Sequence, residues 1–309
     1  TDVETLFAAY SMLDAPFELG GLNFRVIGGL RFEGNTQRLN SFAINDQPVQ
    51  INLVTPDLLP SLHVVWKASE TTNLRLSATQ TLARPSLREF APFAFFDFQQ
   101  QVLVQGNPEL RRALIQNFDI RYELFPGVGE VLSVSGFYKR FTDAIEETIF
   151  PQQSELTRTF ANADGPALNY GFELELRKNF GFIASGLENL VFTANYTWVR
   201  SELTVSQGGT VDTRPMWGQS PFTLNLSLFY TNPDTRTSFN LAYNTYGRRI
   251  IQVGQRGAFS FADPHVYELP RDVIDASLIQ PLGDALELKI SARDILNQRL
   301  IWEQGGVQV

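Results

Sequence analysis

Apolar and polar residues alternate with a period of two along most of the chain. The pattern is plainest at residues 170–177, where Tyr170, Phe172, Leu174 and Leu176 interleave with Gly171, Glu173, Glu175 and Arg177. Residues 74–83 set Leu74, Leu76, Ala78 and Leu82 against Arg75, Ser77, Thr79 and Thr81. Residues 117–124 set Phe118, Ile120, Tyr122 and Leu124 against Asn117, Asp119, Arg121 and Glu123. Successive side chains of a strand point to opposite faces, so each segment predicts a β-strand with one apolar and one polar face. A face of alternating Asp, Arg and Glu backed by a wholly apolar face needs water on one side and hydrocarbon on the other.

The same criterion predicts about twelve strands. The first, over residues 4–13, puts Leu6, Ala8, Tyr10 and Met12 on one face. The second interleaves Phe24, Val26, Leu30 and Phe32 with Arg25, Arg31 and Glu33, and the third sets Leu62, Val64 and Trp66 against His63 and Lys67. Further strands are predicted at 131–141, 190–198, 222–230, 238–244, 274–278 and 286–293. Several exceed the usual strand length of about 5–6 residues and match the roughly 9–11 that a tilted membrane strand requires.

The predicted connections alternate in length. Short ones fall at 14–20, 68–72, 126–129, 179–188, 232–235 and 281–284, and long ones at 34–55, 84–113, 142–163, 202–218 and 251–268. The longest begins at Arg84-Pro85, where proline removes a ladder donor and restricts the residue before it. Strict alternation means that every strand reverses direction and that the two ends of the sheet differ. Outer-membrane barrels have this asymmetry, with short turns on one side and long loops on the other. Aromatic residues gather near both ends: Trp66, Phe125, Phe180 and Tyr230 by the short connections, Tyr138, Phe141, Tyr170, Trp198, Phe222 and Tyr246 by the long ones. Two such belts suit the headgroup regions of a bilayer. The reading is therefore an all-β protein, an antiparallel transmembrane β-barrel.

Composition agrees and narrows the function. The 309 residues include 25 Phe, 9 Tyr and 4 Trp but only 2 Met and no Cys, which excludes disulfides and thiolate chemistry. A mean hydropathy of -0.11 is no obstacle, since only every second residue of a barrel strand meets lipid. A net charge of -8 argues against nucleic acid as a partner. Thr1 opens directly in a strand pattern without a basic or apolar leader, which predicts a processed chain or a fragment.

With strands and loops placed, the chain resembles the barrel of TonB-dependent outer-membrane receptors. The resemblance lies in TLARPSLREFAPF (81–93), GNPEL (106–110), NFDIRYELF (117–125), GFYKRFTDAIEE (136–147), NYGFELELRK (169–178), NYTWVRSEL (195–203), SPFTLNLSLFY (220–230) and RDILNQ (293–298). It implies a barrel of about 22 strands with a globular plug inside. Residues 1–309 are then part of one barrel domain, with the plug, the TonB-binding box and the final strands expected elsewhere. It also implies an outer-membrane location and import of a scarce nutrient: a ferric siderophore, cobalamin or an oligosaccharide. The implied partners are outer-membrane lipid and lipopolysaccharide, the protein's own plug, the TonB complex, a small-molecule or oligosaccharide ligand and, in some members, a surface lipoprotein. No cofactor is implied.

Candidate site residues come from two places. On the polar strand faces Arg121, Glu123, Glu173, Glu175 and Arg177 are positioned to face the plug and the transport path, unless they serve only as cross-strand ion pairs. In the long loops Arg84, Arg88, Glu89, Asn107, Arg111, Arg112, Arg248 and Arg249 are candidates for ligand contact, and Phe90, Phe93, Phe95, Phe96 and Phe98 form a dense aromatic run able to fold inward. Glu146-Glu147 is read as solvated loop charge rather than a cation site. The two histidines, His63 and His265, lie far apart with no catalytic motif around them. Three other readings stay open: a passive channel or adhesin barrel, an outer-membrane enzyme, and a soluble all-β protein.

Overall fold

The computed structural model describes residues 3–42, 48–98, 102–152, 155–207, 210–254 and 263–308. Among these, β1 (Val3–Leu19), β2 (Leu22–Phe42), β3 (Pro48–Lys67) and β4 (Thr72–Ala83) form the opening hairpins. A single helical turn, α1 (Leu87–Phe90), and two short strands, β5 (Ala94–Asp97) and β6 (Val102–Gln105), precede β7 (Ala113–Leu124) and β8 (Val131–Thr142). Next come β9 (Ile145–Gln152), β10 (Glu155–Asn162), β11 (Ala167–Asn179), β12 (Leu190–Gln207) and β13 (Thr210–Arg214). The last part holds β14 (Phe222–Thr231), β15 (Ser238–Tyr246), β16 (Arg249–Gln252), β17 (Val266–Glu268), β18 (Val273–Pro281), β19 (Glu287–Ala292), β20 (Trp302–Gln304) and β21 (Val307–Gln308).

The wall is one antiparallel sheet of 13 strands in the order β1-β2-β3-β4-β7-β8-β11-β12-β14-β15-β18-β19, with β13 paired to the far end of β12. Neighbours in sequence are neighbours in the sheet, as alternating loop lengths require. Register sets the faces, because residues directly opposite share one side. Leu74, Tyr122, Val134 and Leu174 lie in one row, and Arg75, Arg121, Ser135 and Glu173 in the next. The apolar side is open: Leu76 is 48%, Ile120 50% and Leu174 40% exposed. It is the outer face. The polar side, which cannot face hydrocarbon without large cost, is the inner face of the barrel.

Several sequence expectations change here. Leu6, Ala8, Tyr10 and Met12 of β1 lie on the inner face, since Ala8 stands opposite Glu33 and Tyr10 opposite Arg31. Phe7, Leu13 and Phe17 face outward; β1 is apolar on both sides, so alternation alone gave no face. The connection expected at 14–20 shrinks to Gly20-Gly21, where φ of +60° and +77° favours glycine. Pro16 sits within β1, at the edge of the sheet, where a missing donor costs least.

The long connections are largely strand. β2 and β3 stay paired from Asn23–Lys67 to Phe42–Pro48, twenty rungs without a break. The apolar alternation ends near Gly34 because the hairpin has left the hydrocarbon, whereas backbone pairing continues. The tips at 43–47, 99–101, 153–154, 208–209 and 255–262 lie outside the described residues. Both aromatic rows exist on the outer face: Phe17, Phe24 and Trp66 stack near the short turns, and Tyr170, Phe172, Trp198, Tyr196 and Phe222 contact one another towards the long loops. Phe141 and Tyr246 do not belong to them. Phe141 stands opposite Ile115 and Ala167 and Tyr246 opposite Thr223, all on the inner face.

Two smaller sheets occupy the long-loop end. One, in the order β5-β6-β10-β9, joins the 84–112 and 143–166 excursions through parallel pairing of β6 with β10. The other runs β16-β17-β20-β21.

Candidate functional site

The inner face carries a belt of charge near the short-turn end of the wall. Arg75 and Arg121 stand directly opposite each other on β4 and β7, an unfavourable juxtaposition by itself. Glu123, two residues along β7, resolves it by accepting from Arg75 Nε at 2.7 Å and from Arg121 Nε at 2.9 Å. Arg121 then reaches across β8 to Glu175 of β11 at 2.6 Å and donates to Ser135 Oγ at 3.1 Å, while Ser133 Oγ donates to Glu175 at 3.3 Å. The belt thus ties β4, β7, β8 and β11, with each charge matched by an opposite one. Glu173 and Arg177 share this face, opposite Thr197 and Thr193, and make no ion pair among the described residues.

Above the belt, the excursion between β4 and β7 is pinned at both ends to the β2–β3 hairpin. Arg84, at its start, contacts Glu33 at 2.8 Å and Asp57 at 3.3 Å; Arg112, at its end, contacts the same Asp57. Asp57 is nearly fully buried between the two guanidiniums, and Arg31 completes the cluster on Glu33 at 2.7 Å. Two cations share one buried carboxylate, so loss of Asp57 would leave both guanidiniums without this acceptor. Between the pins, Ser86 and Glu89 form a reciprocal capping box on α1, with the Ser86 N–H donating to Glu89 at 2.6 Å. Phe90, Ala91 and Leu110 bury themselves against Leu39 of β2. Because Leu39, Glu33 and Asp57 are inner-face residues, the excursion folds inward across the barrel mouth.

The candidate loop residues have identifiable contacts there. Arg88 is exposed and lies over the Phe95 ring at 4.8 Å. Phe93, Phe96 and Phe98 also remain exposed. Asn107 donates to the Phe160 carbonyl at 2.9 Å, and Arg111 pairs with Asp143 at 2.6 Å, both fastening the first excursion to the second. Asn162 bridges the same junction, accepting from the Arg111 N–H at 2.9 Å and donating to the Asp143 carbonyl at 2.8 Å. The two excursions therefore form one cap.

On its other side the cap docks on the β12–β13 hairpin. Ala144, Ala161, Ala163 and Ala167 pack against Leu203 and Val205. Beside them Arg214, 2% exposed in its side chain, bonds Glu146 at 2.9 Å, Asp212 at 3.1 Å and the Glu147 carbonyl at 2.9 Å. Arg158 faces Glu147 at 3.3 Å. Glu146 and Glu147 are thus buried structural charges, not solvated ones. Burial pushes both carboxyls above the ordinary range, with Arg214 opposing this at Glu146 and Arg158 at Glu147. Arg214 stands 68 residues from Glu146, so no local pattern announces that pair.

Arg248 and Arg249 lie at the rim. Arg248 stacks on Tyr267 at 3.7 Å and bonds Glu303 at 2.5 Å, while Arg249 pairs with Glu268 at 3.1 Å beside the Tyr246 ring. With Arg200 they border a cleft of about 340 Å³ between the β12–β13 hairpin and β16. His265 Nδ1 accepts the Gly254 N–H at 2.9 Å, and His63 stands opposite Ile27 and Ser77 on the inner wall. The two histidines do not meet.

A family model described as "TonB dependent receptor-like, beta-barrel" matches residues 2–273. No curated protein sequence matches the chain. Among solved structures, the hemophore receptor HasR of Serratia marcescens, in complex with its hemophore HasA and heme, has a TM-score of 0.68 at 12% identity, covering 99% of this chain and 50% of that one. The FrpB iron transporter from Neisseria meningitidis gives 0.62 at 17% identity, covering 97% and 42%. The ferric enterobactin receptor PfeA from Pseudomonas aeruginosa, a mutant in complex with enterobactin, gives 0.60 at 15% identity, covering 97% and 50%. At these identities the likeness is one of fold, and the chain spans about half the length of each. Receptors of this family reside in the outer membrane and are not enzymes. On its wall topology, its two-faced strands and the family match, this chain belongs to the TonB-dependent receptors and supplies β-barrel of that family.

Proposed function

We propose that the chain is the greater part of the barrel of an outer-membrane importer energised through TonB. The observation that carries this reading is the inward-folded cap. Two excursions fused by β6–β10 pairing lie over an inner wall whose Arg75–Glu123–Arg121–Glu175 belt is already paired. Such a mouth presents ligand-contacting side chains on a fixed scaffold. Arg88, Phe93, Phe96 and Phe98 on the cap, and Arg248 and Arg249 on the rim, are the proposed first contacts for the ligand. Arg121, Glu123, Glu173, Glu175 and Arg177 are the proposed contacts for the plug, a domain supplied by the rest of the protein. Arg200, exposed and outside the aromatic row, is the proposed contact for lipopolysaccharide.

An iron-carrying ligand is favoured over cobalamin or an oligosaccharide, since the neighbours named above are described as an iron transporter, a ferric enterobactin receptor and a hemophore receptor. The test is growth of iron-starved cells producing the full-length receptor and given ferric enterobactin or heme, with and without TonB. Growth that requires both receptor and TonB is expected. Receptor-dependent growth without TonB would point to a passive channel and overturn the reading.

A further inference from the structure

We propose that the imported solute passes along the inner wall made by β12, β14 and β15, and not along the wall made by β4, β7, β8 and β11. The proposal rests on the import reading above. Its basis is a sharp change in chemistry around one continuous face. From β4 to β11 the inner face carries Arg75, Asp119, Arg121, Glu123, Lys139, Glu173, Glu175 and Arg177. From β12 to β15 the inner positions are Val191, Thr193, Asn195, Thr197, Thr223, Asn225, Ser227, Phe229, Asn240, Ala242 and Asn244, without one formal charge. Charge returns only at Asp275 on β18, where the carboxylate accepts the Asp294 N–H at 2.8 Å.

The uncharged sector is also hollow. A cleft of about 310 Å³ enters it from Glu175 and Arg177 at the edge of the charged wall, crosses Thr193, Asn195, Asn225, Ser227 and Asn244 and ends at Asp275. Its side-chain bonds are few: Asn244 to Asn225 at 2.6 Å and Ser227 to Asn240 at 2.9 Å. Asn195 is exposed and makes no side-chain hydrogen bond among the described residues.

Two physical facts separate the walls. A neutral hydrogen bond exchanges with water at little net gain, so a hydrated solute carrying hydroxyl, amide or carboxylate groups can move from amide to amide without a deep well. Charge-assisted bonds are roughly twice as strong, and breaking one in the belt leaves a part-buried charge without its partner. A charged wall therefore suits a partner that stays docked, and an amide wall suits one that must leave.

The absence of cysteine from these 309 residues makes the test direct. In the full-length receptor, Thr193→Cys and Thr197→Cys probe the amide wall, and Ser77→Cys and Thr79→Cys probe the charged one. All four positions are half-buried and on the inner face. The probe is biotin maleimide, added to iron-starved cells given ferric enterobactin and heme, with or without a protonophore. Energised cells should label Thr193→Cys and Thr197→Cys several-fold faster than protonophore-treated cells, with Ser77→Cys and Thr79→Cys unchanged. A rise confined to Ser77→Cys and Thr79→Cys, or equal at all four, overturns the path while leaving import intact. No response anywhere overturns both, and the TonB growth test then fails as well. If a threonine variant loses heat-modifiable mobility, Asn195→Cys and Asn225→Cys replace it.

Discussion

The barrel wall and the cap are both β-sheet, yet they dispose of side chains in opposite ways. On the wall, Ile120 and Leu76 are about half exposed on the outer face, and the charges stand on the opposite, inner face. In the cap, Phe90, Leu110 and Val102 are at most 3% exposed, and charges such as Arg214 and Asp57, on the hairpins it docks against, are buried beneath it. The wall is stabilised by the solvent it faces, the cap by its own packing and ion pairs. The difference teaches that an exposed Leu means a membrane contact only on the outer face of the wall, while an exposed Phe of the cap, such as Phe98, lies outside both the wall's outer face and the cap's packing.

The comparison can be broken most forcefully at Arg214. Arg214→Ala leaves Glu146 without its cation inside the cap, at a cost of about 3–5 kcal/mol. The cap should become sensitive to external protease in intact cells while the barrel keeps its heat-modifiable mobility. Loss of both together would mean that wall and cap are one cooperative unit. A smaller effect is expected at Ile120. Ile120→Arg places a cation on the outer face and should lower stability in lipid vesicles by about 2–4 kcal/mol in a urea titration, with cap proteolysis unaltered. A cost near zero would show that this face does not meet hydrocarbon.

The mildest probe is pH. Burial holds the Glu146 and Glu147 carboxyls above their unfolded values, so the folded cap binds more protons than the unfolded segment. Their contribution is fully present below the unfolded carboxylate value, about 4.3, and is lost as pH rises through the raised folded values. Protease nicking of the cap should therefore quicken as pH rises across that window. Glu146→Gln should flatten part of that slope. An unchanged profile in the variant would place the titration elsewhere.

Much of the wall was legible in the sequence. Leu74 to Ala83 and Asn117 to Leu124 alternate cleanly, and the structure pairs them face to face in register. The belt residues Arg121, Glu123 and Glu175 were identifiable as inner-face charges for the same reason. The cap was not legible. Arg84 and Arg112 were visible as loop arginines, but the acceptor that both require, Asp57, lies in a segment the alternation assigned to no loop at all.

The sequence by itself determined the wall strands, their direction, the two unlike faces of most of them and the family resemblance, because a period-two pattern and a run of connection lengths are local properties of the chain. Only the tertiary structure decided which face of β1 turns inward, that two excursions fuse into one cap, and that Glu146 is buried on Arg214. Each of these depends on register or on partners tens of residues away, and a local pattern carries no information about which distant backbone will lie beside it.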